Sequence, residues 1–449
     1  MRRRGVRRRW RRQIGVAAAA GLTAALFLAL APTANAALGL QDLSAKPANL
    51  AAGANSDFNI HISFSDPADQ VKDLTVHLPP GLVGNPMATP LCTVSQLNAD
   101  SCPANTQVGT VVANVNVVAV PGVLEVPLTV NGSLYNLTPQ PGEPARFGIV
   151  LKPVALPPPI GGVLPRIVQQ SAVKLRQSDF GLDTIVNDFP QKTNGLETDI
   201  TSLDLSLFGT ANGRGFIRNP TSCTPKTVTF DADSYSGHSA HGSAPSFTPT
   251  NCGALPFSPT LSVNVGAGPT TRAPSLTTVI RQDPGEAGLA GAKVLLSSHI
   301  GPNLAALDNT CSLLQFRVNA SACPAPSIVG SASASSPFVK GALKGPVVLV
   351  APGPTDLFPR LGVSLKGPLS LQVLGTFVAE SDGLGNAFTK LPDIPIATFS
   401  LHFNGGKGGL LTTAVNLCTA PKQTFLASFD GFNGAHRQAR VPAQISGCG

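Results

Sequence analysis

Residues 203–208 read Leu-Asp-Leu-Ser-Leu-Phe and residues 399–403 read Phe-Ser-Leu-His-Phe, so apolar and polar side chains alternate in both stretches. Residues 57–64, Asp-Phe-Asn-Ile-His-Ile-Ser-Phe, alternate in the same way. Because successive side chains of a β-strand point to opposite faces of its sheet, this period of two predicts antiparallel strands with one buried face. The 45 glycines and 41 prolines leave little room for long helices. We therefore predict an all-β protein of sandwich-like, Ig-like sheets.

The eight cysteines divide the chain into two similar halves. They lie at steps of 10, 121 and 29 residues in the first half and 12, 95 and 30 in the second. Neighbouring sequence repeats in the same order, in pairs such as Cys102-Pro103 with Cys323-Pro324, Val108-Gly109 with Val329-Gly330, and residues 147–152 with residues 361–366. Several matched landmarks in one order indicate an internal duplication. We predict two tandem modules, residues 37–254 and 255–449, each holding one large sandwich or two smaller ones.

An even number of cysteines in an exported chain predicts a disulfide framework. Bridges that close within each copy, and alike in both, leave three pairings. We favour the nearest-neighbour one, which joins Cys92 to Cys102, Cys223 to Cys252, Cys311 to Cys323 and Cys418 to Cys448. Closely spaced ligand pairs of the C-x-x-C type do not occur, which argues against zinc. Short helices are expected only inside the small cysteine loops, near Val94–Asn98 and Ser312–Val318.

The first 36 residues have the order of a signal peptide. Eight arginines stand among the first twelve residues, an apolar run covers Ile14 to Ala31, and Ala34-Asn35-Ala36 forms an A-x-A cleavage site. The run is long enough to span a bilayer, so an uncleaved anchor is the alternative. Cleavage before Ala37 predicts a secreted or cell-surface chain without a membrane span, exported by the general or the twin-arginine route.

Cleavage also removes the positive charge of the chain. The formal net charge is +8, and removing the eight leading arginines from 32 Lys and Arg leaves 24, against 24 Asp and Glu. A basic chain would suggest nucleic acid or an anionic membrane as partner. The neutral mature chain argues against nucleic acid.

Residues 73–86, Asp-Leu-Thr-Val-His-Leu-Pro-Pro-Gly-Leu-Val-Gly-Asn-Pro, precede Cys92 and Cys102-Pro103. This module resembles a group of uncharacterised exported repeat proteins of high-GC Gram-positive bacteria, and its strand with Leu-Pro-Pro-Gly resembles Ig-like surface repeats. The resemblance covers most of the mature chain and implies the module, with no catalytic residues to carry over. Residues 296–302 of the second copy, Leu-Ser-Ser-His-Ile-Gly-Pro, depart from it.

One stretch resembles a hydrolase motif. Residues 237–242, Gly-His-Ser-Ala-His-Gly, nearly form the G-x-S-x-G nucleophile elbow. The second glycine is displaced by His241, and no helix-forming sequence follows. We interpret the stretch as the tip of a β-hairpin, with a secreted hydrolase as the third functional hypothesis.

Metal and sugar sites have weak signals. His238 and His241 could bind a metal only with a third ligand from elsewhere. The aligned pairs Asp66/Asp69 and Asp283/Glu286 offer oxygen ligands to Ca²⁺, with an Asx-type turn as the alternative. We expect no cofactor, and calcium is the one ion that the sequence leaves open. Trp10, the single tryptophan, lies in the predicted signal peptide, which disfavours a glycan-binding module.

The copies differ most after residue 152, where the first copy has 19 extra residues before its third cysteine. This proline-rich segment cannot join a central strand, yet it is rich in apolar side chains. It is either a partner loop or a cover over the module junction or a sheet edge; its apolar residues are Val154, Leu156, Ile160, Val163 and Leu164.

The sequence therefore favours a non-enzymatic secreted or cell-surface protein with a structural or adhesive role. An extracellular ligand- or glycan-binding module is the second hypothesis. The partner is open, with a cell-envelope or extracellular component as the expectation, and so is the oligomeric state.

Overall fold

The computed structural model describes residues 37–121, 123–268 and 270–448. The residues from Ala37 onward form one compact unit. The predicted signal peptide, residues 1–36, lies outside the described residues.

The first copy consists almost entirely of strands. They are β1 Leu40–Pro47, β2 Phe58–Phe64, β3 Val71–Leu78, β4 Val83–Gly84, β5 Gln107–Val120, β6 Leu124–Leu137, β7 Arg146–Leu151, β8 Val154–Ala155, β9 Val163–Leu164, β10 Ile167–Leu175, β11 Leu182–Val186, β12 Lys192–Thr193, β13 Leu196–Leu207, β14 Thr210–Ala211, β15 Arg214–Gly215, β16 Ile217–Arg218, β17 Thr229–Ser234 and β18 Ser239–Ser243.

The second copy continues in the same way. Its strands are β19 Thr260–Gly266, β20 Ser275–Arg281, β21 Leu289–Leu295, β22 Ile300–Pro302, β23 Ile328–Ser335, β24 Leu343–Val350, β25 Arg360–Lys366, β26 Ser370–Glu380, β27 Gly383–Phe388, β28 Thr398–Phe403, β29 Leu411–Thr413, β30 Thr424–Gly431, β31 His436–Pro442 and β32 Gln444–Ser446.

Helices are few and short in the described residues. The α-helices are α1 Val94–Asn98, α2 Leu304–Leu307 and α3 Leu313–Asn319, and the 3₁₀ turns are Ala104–Thr106, Cys252–Ala254, Ala320–Ala322 and Ala325–Ser327. Helices α1 and α3 fall where they were predicted, within one residue. The expectation that helices occur only in the cysteine loops was wrong for α2, which precedes Cys311. Its Leu-Ala-Ala-Leu sequence has high helix propensity, enough for a single turn.

Each copy forms one large sheet, and the strand order is the same in both. The first sheet runs β1-β2-β13-β5-β6-β7-β10-β11-β3-β17-β18, and the second runs β19-β20-β28-β23-β24-β25-β26-β27-β21-β30-β31. The second sheet adds β32 beside β19, and the first adds β12 beside β13. Small pairs also correspond, β4 with β16 in one copy and β22 with β29 in the other. The all-β fold in two modules is confirmed, with one large sheet per copy.

The predicted alternation appears directly in the burial of β2. Its apolar residues Phe58, Ile60, Ile62 and Phe64 are buried, and the polar residues between them are exposed or half-buried. The sheet curls so that its two edge strands, β1 and β18, meet. Their contact is close, since a Cβ at Gly242 on β18 would collide with Leu43 on β1. The curled sheet encloses its own core, whose largest fully buried side chains include Phe58, Phe216 and Phe230.

The four disulfides join the nearest-neighbour pairs that the spacing favoured: Cys92–Cys102, Cys223–Cys252, Cys311–Cys323 and Cys418–Cys448. We call residues 92–102 the first lobe and residues 311–323 the second lobe. Each lobe contains a helix capped by the residue after its first cysteine, Thr93 or Ser312.

The lobes are fixed to the sheets by a matched contact. Leu97 of the first lobe lies over Gly148, and Phe316 of the second lies over Gly362; both side chains are fully buried. A Cβ at either glycine would lie 2.6 Å from the lobe side chain. These glycines belong to the repeated segments 147–152 and 361–366, so the repeated glycine makes room for the lobe.

Polar groups also cross between the copies. The Asp393 carboxylate accepts hydrogen bonds from the Thr221 amide at 2.8 Å and the Thr221 hydroxyl at 2.5 Å. The Arg218 guanidinium donates to the backbone carbonyl of Glu286 in the second copy and to that of Gly53 in its own copy. The predicted module boundary, 254/255, falls between β18 and β19.

Candidate functional site

The stretch from Gly237 to Gly242 forms the turn and second strand of the β17–β18 hairpin, as interpreted from the sequence. The hydroxyl of Ser239 donates to the Asp233 carboxylate at 2.5 Å. A nucleophile elbow instead needs its serine beside a base at the top of a strand-to-helix turn. Ser239 therefore has a structural partner in this hairpin.

His238 and Asp69 form a small cluster with Ser236 at the hairpin turn. Nδ1 of His238 lies 2.7 Å from Oδ2 of Asp69 and 3.0 Å from the Ser236 hydroxyl, and Ser236 also donates to Asp69. A catalytic triad needs the acid and the serine on opposite ring nitrogens. Here both contact the same nitrogen, so the cluster does not have the geometry of a proton relay.

The cluster changes the acidity of Asp69. Burial acts to raise the pKa of this carboxyl, but hydrogen bonds from Ser236, the Leu38 amide and His238 outweigh burial and lower the pKa from 3.8 to about 2. The carboxylate thereby connects Leu38, just before β1, to the turn of the β17–β18 hairpin. This is a structural role.

We expect Asp69→Asn to reduce the dependence of the free energy of unfolding on pH in the acid range. Because the folded-state pKa is below the unfolded one, the carboxylate stabilises the fold above about pH 4, and this contribution is lost as the pH falls towards 2. The variant should be less stable than wild type at pH 6, and the difference should shrink by pH 2. Urea unfolding at the two pH values measures this; a pH-independent difference would contradict it.

A longer series of charged side chains crosses the outer face of the first sheet. His241 on β18 contacts Asp231 on β17 at 2.8 Å, and Asp231 contacts His77 on β3 at 2.9 Å. His77 in turn contacts Asp183 on β11 at 2.7 Å, and Asp183 accepts from Arg176. Each His–Asp contact of the series thus links two neighbouring strands.

Two members of the series, His77 and Asp231, have shifted pKa values. Burial acts to lower the pKa of His77, but Asp231 and Asp183 outweigh burial and raise it. Burial acts to raise the pKa of Asp231, but hydrogen bonds from His241 and His77 outweigh it and lower the pKa. His77 and Asp231 therefore stabilise each other's charged form, which is typical of cross-strand pairing.

The two histidines of the hairpin do not converge on one site. His238 contacts Asp69, whereas His241 contacts Asp231 on the neighbouring strand. In the part of the chain that the structure describes, His, Cys, Asp and Glu form no cluster of three or more able to hold a metal ion. The sequence already disfavoured a histidine metal site, and the geometry gives it no support.

A polar cleft of about 400 Å³ lies beside His77, walled by Arg176, Lys226 and Thr229. Burial lowers the pKa of Lys226, although the Asp393 charge acts to raise it. Because the carboxylates of Asp183, Asp179 and Asp231 pair with Arg176 and His77, the cleft retains little uncompensated positive charge. It is a weak candidate for an anion site.

The two aligned acidic pairs form matching turns. The Asp69 amide donates to the Asp66 carbonyl at 3.2 Å, and the Glu286 amide donates to the Asp283 carbonyl at 3.0 Å. A proline follows the first acid in each, as in a β-turn. The geometry supports the turn interpretation, and the calcium hypothesis stays a prediction.

The proline-rich segment folds onto the first core. β8 and β9 form a small hairpin in which Leu156 and Leu164 are buried and Val154 and Ile160 are partly buried against the core. Val163 is 52 % exposed. This burial favours the covering role over the partner role, and the partner loop stays a prediction whose exposed apolar side chain is Val163.

Sequence reasoning missed the charged series. The sequence contained a signal for it, because His77 on β3, Asp231 on β17 and His241 on β18 alternate with buried residues along their strands. Their convergence depends on which strands are neighbours. β3 lies between β11 and β17, strands that are more than 100 residues away in the chain.

Comparison with known proteins adds no argument about the fold or the function. No family model matches the chain, and no curated protein matches it. A solved structure described as "Crystal structure of Putative membrane anchored protein from Corynebacterium diphtheriae" is similar over 91% of each chain, at 8% identity and a TM-score of 0.20. Such a low TM-score carries no argument about function.

Two observations bear on location. Disulfides persist in oxidising compartments, so four closed bridges indicate an extracellular or cell-surface protein. Among the described residues, none of the helices has the length and apolar character needed to cross a membrane.

Proposed function

We propose that this chain is a non-enzymatic secreted or cell-surface protein with a structural or adhesive role, and that its disulfide-bonded lobes contact a component of the cell envelope. The observation that carries the proposal is the apolar surface of the second lobe. On α3, Leu314 is 75 % exposed and Val318 is 77 % exposed. Residues four apart lie on one face of a helix, so these side chains form a single outward surface.

The base of this surface is rigid. Phe316 is fully buried over Gly362, and the Cys311–Cys323 bridge closes the lobe. The first copy repeats the arrangement on a smaller scale, with Leu91 43 % and Val94 36 % exposed beside its own bridge. Exposed apolar groups on a fixed base are typical of contact sites.

The test is binding to envelope material of the source organism. We expect Leu314→Ser/Val318→Ser to weaken binding of the mature chain about tenfold, because two apolar side chains lose their buried area in the complex. Leu357→Ser is the matched control, since Leu357 is 93 % exposed but lies outside the lobe. Sedimentation binding isotherms give the dissociation constants, and circular dichroism checks folding.

Equal affinity of the lobe variant and wild type would refute the role of the lobe.

A panel of ester and peptide substrates tests the non-enzymatic part of the proposal. We expect no turnover by the wild-type chain, and turnover that persists in the purified protein would refute this part.

A further inference from the structure

Each module encloses an apolar cavity, and the two cavities lie at equivalent positions. The first is about 90 Å³ and the second about 110 Å³. Leu203, Leu205 and Leu207 of β13 line the first; Phe399, Leu401 and Phe403 of β28 line the second. These positions correspond, because Leu207 lies opposite Gly109 and Phe403 lies opposite Gly330, the glycines of the repeated Val-Gly.

The correspondence extends to one polar position. Val173 pairs with Thr184 in the first copy, and Phe377 pairs with Asn386 in the second. Thr184 lines the first cavity and Asn386 the second. A packing defect has no reason to recur at the same strands of two diverged copies, since interiors normally close such voids.

The two polar side chains differ in their hydrogen bonds. The Thr184 hydroxyl donates to the Val76 carbonyl at 3.2 Å. In Asn386, by contrast, both the Nδ2 and the Oδ1 atoms are inaccessible and without a hydrogen-bond partner. An unpaired buried amide is costly, so native proteins normally provide it with a partner.

The Asn386 side chain is part of the cavity wall. Leu384, Asn386 and Phe388 share one face of β27, and all three line the cavity. The amide lies over Gly375 of the adjacent strand, where a Cβ would approach Oδ1 to 2.3 Å. Leu384 is 42 % exposed, so the cavity reaches solvent beside it.

From this geometry we propose that the interior of the second module binds a small amphiphile, an aliphatic chain with one group that both donates and accepts a hydrogen bond. Asn386 recognises the polar group once its amide turns from Gly375 towards the cavity, because a hydroxyl, a carboxylic acid or a primary amide satisfies Nδ2 and Oδ1 together. The apolar lining takes the chain, and the opening at Leu384 lets a longer chain extend outward. The size suits a ligand of a few carbons, since an engineered apolar cavity of about 150 Å³ binds benzene.

The test uses two ligands with the same number of non-hydrogen atoms. Hexan-1-ol donates and accepts, whereas 1-methoxypentane only accepts. We expect the mature wild-type chain to bind hexan-1-ol about five to ten times more tightly, the effect of one hydrogen bond. Asn386→Leu keeps the shape and should abolish this preference, while Thr184→Val in the first module should retain it. Titration calorimetry gives the affinities, and ligand-induced shifts in Tm provide a second readout.

A blocking variant keeps the proposal testable if Asn386→Leu fails to fold. Leu384→Trp closes the opening of the cavity from an exposed position, and it should reduce hexan-1-ol binding at least tenfold. The equivalent change in the first module, Leu182→Trp, is the control and should leave the preference unchanged. Absence of hexan-1-ol binding to wild type overturns the proposal. An unchanged preference in a folded Asn386→Leu variant also overturns it.

Discussion

Replacement of Asp393 by alanine is expected to lower the free energy of unfolding by about 3 kcal/mol and to loosen the junction between the copies. Asp393 is 4 % exposed, and its carboxylate accepts both the amide and the hydroxyl of Thr221. The Thr221 hydroxyl also accepts a hydrogen bond from the Gly288 amide at 2.9 Å. Removing the carboxylate leaves buried donors of the first copy unpaired.

Two glycines, one from each copy, pack directly against this carboxylate. A Cβ at Gly81 would lie 2.5 Å from Asp393 Oδ2, and one at Gly288 would lie 2.3 Å from Oδ1. Neither the first nor the second copy can therefore place a larger residue against it. We expect the alanine variant to unfold in two steps by urea denaturation, one for each copy. A single transition with wild-type midpoint would contradict the linking role.

Asp393→Asn removes the ionisable group together with one of the two acceptor oxygens, so it serves as a reference that does not titrate. Burial raises the pKa of Asp393, although the hydrogen bonds of Thr221 and the charges of Arg218 and Lys226 act to lower it. When the pKa of a group is higher in the folded state, the group contributes its full stabilisation below its unfolded-state pKa, here about 3.9. This contribution is lost as the pH rises through the folded-state pKa. The stability of wild type relative to Asp393→Asn should therefore fall as the pH rises above 4. A constant difference from pH 4 to pH 7 would contradict this sign.

The sequence predicted the features whose causes are local or repeated. Alternation in residues 57–64 predicted β2, and the hairpin at residues 237–242 was inferred because no helix-forming sequence follows them. The disulfide pairs followed from their spacing in both copies, and Thr93 and Ser312 cap the helices beside the cysteines. Each of these features involves residues within about 30 positions of one another.

The features that sequence reasoning missed depend on distant neighbours. Thr221 and Asp393 are 172 residues apart, and Pro392-Asp393 reads locally as a turn. Asn386 lies in an ordinary strand, and its lack of partners follows from the residues of β21 and β26 that surround it. Curling of the sheet decides which inward side chains leave a void, and alternation alone does not specify that.

Replacement of Gly330 by alanine is expected to lower the free energy of unfolding by roughly 3 kcal/mol, at the upper end of the usual cost of overpacking. Gly330 follows an irregular register in the β23–β24 pairing, where β23 approaches β28 closely. A Cβ there would lie 1.9 Å from the His402 carbonyl oxygen and 3.1 Å from the Phe403 Cα. These are backbone atoms of a central strand, so the strands must separate.

The duplication supplies the comparison for this prediction. The equivalent Gly109→Ala would place its Cβ 2.5 Å from the Ser206 carbonyl oxygen, a less severe overlap, so we expect a smaller loss. Gly301→Ala is the control, because its Cβ would meet nothing within 4 Å and the stability should change by less than about 0.5 kcal/mol. Guanidinium unfolding of the three variants ranks them. If Gly330→Ala unfolds at the wild-type midpoint, close strand approach does not explain why Val-Gly recurs in both copies.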